Sequence, residues 1–308
     1  MNQRPFFRQE RYTAQIARLV AACNWLGITR GRAARYRKFI KEFFEDDACS
    51  AQHLLAIGES CEIVDLFELW EPHTSAFPGL VEKIKTVCNK GPLLREAENS
   101  TTSSNKARND AFGYLVAGRL LVAGIPVVAV DGILRRDTTC ESEADVTVQW
   151  HGTLLDIECK RPQSDAGLEA CTKDARRQLQ HPHRGGRHGI IALDCSVLIR
   201  PAGTLLKSPS GETAERELST KLKQSVAPKV ESYLTSSMLG FLFFARVPAM
   251  MRVRRSPIVT PQGKPIYDFR PDSISTWLVF SNAQYAGPDI LRSLADRLND
   301  TSARGTPS

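Results

Sequence analysis

Apolar positions follow a helical period through the first third of this chain and an alternating, strand-like period in much of the remainder. Ile16, Leu19, Val20 and Cys23 recur at helical spacing and predict a helix over 9–27, with Gly27 suited to end it. Thr29 can cap a second helix over 30–45, whose apolar side is Phe39, Ile40, Phe43 and Phe44. A third is expected from Ser50 into Gly58 and a fourth from Ser60 to Trp70, stopped by Pro72. Pro78 opens a short helix to Asn89, and Gly91-Pro92 closes it. Residues 1–94 therefore read as a small all-helical module. The polar, small-residue stretch 95–106 has linker composition, and the main domain is expected over 107–300, with 301–308 a loose tail.

The main domain opens with a helix over 107–123, carrying Phe112, Leu115, Val116, Leu120 and Leu121 and ended by Gly124. Ile125 to Val130 is a β-branched run and so a strand, with the turn pair Asp131-Gly132 after it. Glu143 to Lys160 reads as a hairpin turning at His151-Gly152-Thr153, with Val146 and Val148 alternating on one arm and Leu155, Ile157 and Cys159 on the other. Side chains two apart in a strand share a face, so Asp156, Glu158 and Lys160 point one way and the apolar set points to the core. Charges on one face of an apolar strand are costly near a core unless they pair or bind something. Asp145 starts the partner arm, where the hairpin brings it beside Glu158. Two carboxylates and a lysine make a hard-oxygen site for a divalent cation with a positive charge next to it. Asp156 is read as an exposed residue at the strand's entrance rather than an acid standing behind the site.

Beyond Arg161-Pro162 the pattern gives a helix over 166–180, a strand over 189–195, a mostly helical stretch over 212–234 broken near Pro228, strands over 239–246 and 274–280, and a last helix over 288–298. The basic, proline-rich stretch 250–271 is either a substrate-facing arm or a surface connection. His181 to His188 matches no regular zinc spacing and reads as a flexible loop.

Composition narrows the class. The chain has 308 residues, 42% hydrophobic and 24% charged, which is globular usage. No run reaches the ~18 apolar residues of a membrane helix. The N-terminal residues show no secretory apolar region, and the eight cysteines form no Cys-x-x-Cys pair. A reducing, cytoplasmic setting is expected. The formal charge of +7 is compatible with a polyanion partner. Basic residues cluster at Arg30, Arg32, Arg35, Arg37, Lys38 and Lys41, over Lys173 to Arg187, and over Arg246 to Arg255. On the second helix they read first as a solvated face and second as a phosphate contact.

Asp145, the gap 146–157 and then Glu158-Cys159-Lys160, set in a helix–strand–strand–strand–helix–strand order over 105–195, resemble the PD-(D/E)xK nuclease superfamily. The resemblance implies an α/β fold with a restriction endonuclease-like αβββαβ core and a C-terminal α/β extension. It implies a Mg²⁺ ion, or Mn²⁺ in its place, held by Asp145, Glu158 and the Cys159 carbonyl oxygen. Lys160 would then orient or deprotonate the attacking water, or stabilise developing negative charge. The family's helix glutamine falls on Gln178 in preference to Gln180. The family's acid on the first core helix is missing beside Phe112; Asp110 is the one acid there, read first as a partner of the helix dipole and second as a metal ligand. Arg135 and Arg136 in the loop 131–142, and Lys173, Arg176 and Arg177 on the helix after the hairpin, are the candidate DNA contacts.

The function expected is metal-dependent hydrolysis of phosphodiester bonds in DNA. The rival from another class is a catalytically weak protein of the same fold that binds nucleic acid in defence, repair or mobile-element biology. A third reading is a scaffold whose helical module binds a protein. A homodimer, or a protein partner held by residues 1–94, stays open.

Overall fold

The computed structural model describes residues 9–45, 50–90, 106–138, 142–180, 187–200, 204–252, 258–259, 265–266, 269–282 and 291–298. Residues 95–105 of the linker expected over 95–106, loop residues 181–186 and tail 301–308 lie outside them, and Lys106 already opens a helix.

Helices α1 (Gln9–Trp25), α2 (Gly31–Glu45), α3 (Ala51–Trp70), α4 (Leu80–Asn89) and α5 (Lys106–Val122) come first. Strands β1 (Val127–Val130), β2 (Ile133–Leu134), β3 (Val146–Trp150) and β4 (Thr153–Lys160) come next, then α6 (Asp165–Leu179), β5 (His188–Asp194) and β6 (Leu206–Ser208). The chain continues through α7 (Gly211–Lys221), a π-helical turn (Leu222–Val226), α8 (Ala227–Val230), β7 (Met238–Arg252), β8 (Ile258–Val259), β9 (Pro265–Ile266), β10 (Phe269–Ser281) and α9 (residues 291–298). The fold is mixed α/β. An eight-stranded sheet runs β10-β7-β5-β4-β3-β1-β2, with β6 also paired to β7.

The sheet changes character at β4. It is antiparallel to β3 and parallel to β5, and α6 makes the crossover that a parallel pair requires. Alternation then sorts the side chains. Ile157 and Cys159 of β4 with Ile190 and Ala192 of β5 face one apolar core, shared with α5 and the N-terminal helices. Ile191 and Leu193 face the other, shared with α6 and α7.

The apolar core runs across the boundary expected at 95–106. Leu19, Ile40, Ile57, Trp70 and Ile84 sit in the same cluster as Phe112 and Leu115 of α5 and Leu242 of β7. Trp70 Nε1 donates to the Tyr114 carbonyl at 2.9 Å. Residues of the helical region thus share one continuous apolar cluster with α5 and the sheet. The reason is legible in α3, which is buried along most of its length and has no solvated side wide enough for an independent bundle.

The break expected at Gly58 is absent. One helix, capped by Ser50, runs through it. A Cβ at Gly58 would lie 2.9 Å from Pro248 Cβ, so the glycine lets α3 approach β7. Helix propensity alone favours alanine here by about 1 kcal/mol. The contact reverses the sign, and Gly58→Ala is expected to lower stability by about 1 kcal/mol or more, read by thermal unfolding.

Strands β7 and β10 are longer than the apolar runs suggested. They pair from Arg252 with Phe269 to Gly240 with Ser281, so both ends of the stretch expected as an arm or connection, residues 250–252 and 269–271, are the outer part of a long antiparallel pair, while 253–257, 260–264 and 267–268 lie outside the described residues. Pro228 sits in the first turn of α8, just after the π-helical turn, where its missing N–H costs least. Among the described residues no helix is long and apolar enough to cross a membrane. Cys23, Cys61, Cys88, Cys159, Cys171 and Cys195 are free thiols, and burial pushes Cys61 and Cys88 up to about 12.

Candidate functional site

The site starts from a two-residue turn. His151 (φ +47°) and Gly152 (φ +81°) both take positive φ, the geometry whose twist suits a tight hairpin. Thr153 already belongs to β4, opposite Trp150. The turn fixes the register at the other end, where Val146 faces Ile157. One step further along places Asp145 opposite Glu158.

The link is a hydrogen bond: the Cys159 backbone N–H donates to Asp145 Oδ2 at 2.7 Å. In a strand a residue's N–H and C=O leave by the same edge, so the Cys159 carbonyl also lies on the Asp145 side. Glu158 is 2% exposed, and Lys160 Nζ lies 3.4 Å from its Oε2. Lys160 is the last residue of β4, at the C-terminal end of a parallel pair, where open α/β sheets bind ligands. Its ammonium is also 3.7 Å from Asp174 Oδ2 on α6.

Asp156 differs from expectation. It is 2% exposed, accepts from Thr147 Oγ1 at 2.7 Å and faces Arg187 Nη1 at 3.7 Å. Thr147 Oγ1 is 2.5 Å from Ser142 Oγ. An acid at the edge of an apolar core is held there by hydrogen bonds and a counter-charge, not by water. Alternation put it on the correct face but gave no depth, because Arg187 arrives through the crossover.

Helix α6 lies along this face. Leu168, Thr172, Ala175 and Leu179 are its buried ridge, and Gly167, Cys171, Asp174 and Gln178 form the neighbouring half-buried stripe. Among the described residues, Gln178 Oε1 is buried without a hydrogen-bond partner, an orphaned acceptor one helical turn beyond Asp174. Lys173 and Arg176 sit over the Tyr233 ring, 5.8 and 5.9 Å from its centroid. Lys173 also bonds Glu169 at 2.6 Å, and Arg177 bonds Asp174 at 2.6 Å.

Asp110 lies on the first turns of α5, bonded to Lys106. Burial pushes its carboxyl above the usual range; Lys106 opposes this, while Asp131 and Asp145 add to it. In the β1–β2 region Arg135 is paired with Asp137 at 2.5 Å, and Arg136 is exposed. Of the basic cluster on α2, Arg35, Arg37, Lys38 and Lys41 are exposed, but Arg32 is buried against Glu62 at 2.8 Å. Arg246 is likewise buried, paired with Asp65.

Sequence reasoning missed Asp131. Its backbone N–H donates to the Asp145 carbonyl at 2.8 Å, and its carboxylate accepts from Tyr114 Oη at 2.9 Å and from Lys83 Nζ at 2.7 Å. Asp131 thereby holds the segment carrying Asp145 against α4 and α5. The only signal was the Asp131-Gly132 dipeptide, which announces a turn and no more.

Among the described residues no group of three or more His, Cys, Asp or Glu side chains is disposed to hold a metal ion. Strand register places Asp145 across from Glu158, and the Cys159 carbonyl adds a third oxygen on the Asp145 side. Two carboxylates and a carbonyl are hard donors of the kind Mg²⁺ takes, the remaining positions going to water and substrate. The residues present fit such an ion.

Fold and site together define a mixed α/β protein with a carboxylate–carboxylate–lysine constellation where its sheet passes from antiparallel to parallel. No family model matches the chain, and no curated protein or solved structure matches it.

Proposed function

We propose that this chain is a metal-dependent nuclease of the PD-(D/E)xK type, hydrolysing phosphodiester bonds in DNA. The observation that carries the proposal is the meeting of Asp145, Glu158 and Lys160 at one end of the hairpin, joined through the Cys159 N–H and the Lys160–Glu158 contact. Asp145, Glu158 and the Cys159 carbonyl would hold Mg²⁺. When bound, the ion supplies Lewis-acid polarisation of the scissile phosphate and acidifies a coordinated water. Lys160 places its ammonium beside the phosphate and stabilises charge that grows on the non-bridging oxygens. Gln178 Oε1 accepts a hydrogen bond from the attacking water and helps aim it. The water oxygen bonds to phosphorus and gives up a proton to solvent, one P–O ester bond breaks, the leaving alkoxide takes a proton from solvent, and a phosphate end and a hydroxyl end result. Arg176 and Arg177, on the helix beside this face, contact the sugar–phosphate backbone. Free, mostly buried thiols support the same setting for the enzyme, a reducing cytoplasm.

One observation favours a second reading, a DNA-binding module of the same fold that does not cut: Asp110, the acid on α5, is bonded to Lys106. The two readings part on one experiment. Labelled DNA is incubated with the protein in Mg²⁺ and in EDTA, and binding is followed separately by gel retardation. Cutting in Mg²⁺ alone supports the nuclease; retardation without cutting supports the binding module.

A further inference from the structure

We propose that Asp174 is a positioning residue for Lys160, giving its ammonium a second anion to move to when a cation takes the Glu158 carboxylate that it otherwise contacts. The inference rests on the nuclease reading and adds a part to that site.

Lys160 Nζ stands between two carboxylates from different elements, Glu158 Oε2 at 3.4 Å on its own strand and Asp174 Oδ2 at 3.7 Å on α6. Among the described residues these are its ion-pair partners within 4 Å. If Glu158 were alone, the lysine would compete with the metal for the same oxygen. A cation arriving at Glu158 repels the ammonium, because like charges a few ångströms apart in a partly buried site interact strongly. The lysine then needs another anion in reach, and Asp174 is in place. Lys160 is 17% exposed, so its chain is confined and a small shift of its anchor moves the ammonium.

Asp174 is itself shared. Its Oδ1 accepts from Arg177 Nη2 at 2.6 Å, and Arg177 is 82% exposed. A backbone phosphate bound by Arg177 draws the guanidinium outward and leaves Asp174 to Lys160. Substrate contact on the open side of α6 is thereby coupled to the lysine at the site. Asp174 lies on the half-buried stripe Gly167, Cys171, Asp174, Gln178 of α6.

The test uses the full chain with Asp174→Asn, Asp174→Glu and Arg177→Ala. It measures steady-state DNA cleavage in Mg²⁺, Mn²⁺ binding without DNA by titration calorimetry, and thermal unfolding. Asp174 is 41% exposed, so Asp174→Asn is expected to fold. The expected result is a fall in kcat of about 10²-fold for Asp174→Asn, as a misplaced group costs, with KM changed less than about 3-fold. Asp174→Glu recovers most of the rate, and Mn²⁺ binding by Asp174→Asn weakens because Lys160 then has Glu158 as its one charged partner among the described residues. Arg177→Ala raises KM by a larger factor than it changes kcat. Wild-type kcat in Asp174→Asn overturns the inference and leaves the nuclease intact. Equal losses in the Asn and Glu variants, tracking a lowered unfolding temperature, overturn it as well. A folded wild type that cuts nothing overturns the nuclease reading, and this inference with it.

Discussion

Replacing Arg108 with alanine is expected to cost about 3–5 kcal/mol of stability, because it removes one of the two buried positive charges that balance Glu59 and Glu62. Arg108 of α5 is wholly buried. Its Nη1 bonds Glu59 Oε2 at 2.8 Å and lies 3.7 Å from Glu62 Oε2, and its Nη2 donates to Tyr36 Oη at 3.0 Å. Arg32 completes the group, bonding Glu62 at 2.8 Å and the Val87 carbonyl at 3.1 Å. Two arginines and two glutamates balance, and they tie α2, α3, α4 and α5 together inside the core. Total stability of a domain is only about 5–15 kcal/mol, so the loss is a large share of it. The measurement is equilibrium unfolding in urea. A single transition moved to much lower urea is expected, since the helices share the sheet's core. A loss under about 1 kcal/mol, or a separate early transition for the helical region, would contradict this.

That network shows where sequence reading stops. Arg32 belongs to a run of basic residues, and a run of charge says solvent or phosphate; only packing of three other helices puts one member inside. Gly58 likewise reads as a break, because a pattern cannot tell a weak helix position from one that another strand approaches. The hairpin was legible for opposite reasons. Strict alternation on both arms, a turn with Gly152 and a fixed register make the neighbours of Glu158 a matter of counting. Counting fixed which face Asp156 points to, but its depth depends on Arg187, which reaches it only after the α6 crossover. Asp174 and Asp131 escaped for the same reason: each acts through a residue distant in sequence, and neither carries a motif.

Replacing Glu158 with glutamine is expected to lower DNA cleavage by about 10³-fold or more while leaving the protein folded. Glutamine keeps the shape and an acceptor for Lys160 but removes the charge that would hold the ion. Lys160 keeps Asp174 as its anion, so the lysine is not stranded by the change. The fold therefore survives a substitution that removes the chemistry, and thermal unfolding of the variant at or above the wild-type temperature is the control. Lys160→Ala removes the ammonium from between two acids and is expected to lose comparable activity.

The most direct measurement is cleavage of labelled linear, circular, branched and single-stranded DNAs by wild type, Glu158→Gln and Lys160→Ala, each in Mg²⁺, in Mn²⁺ and in EDTA. The predicted result is cutting of at least one DNA by wild type with either metal, abolished by EDTA and lost in both variants. A folded wild type that cuts none of these DNAs in either metal would contradict the nuclease reading, as would cutting that survives both substitutions.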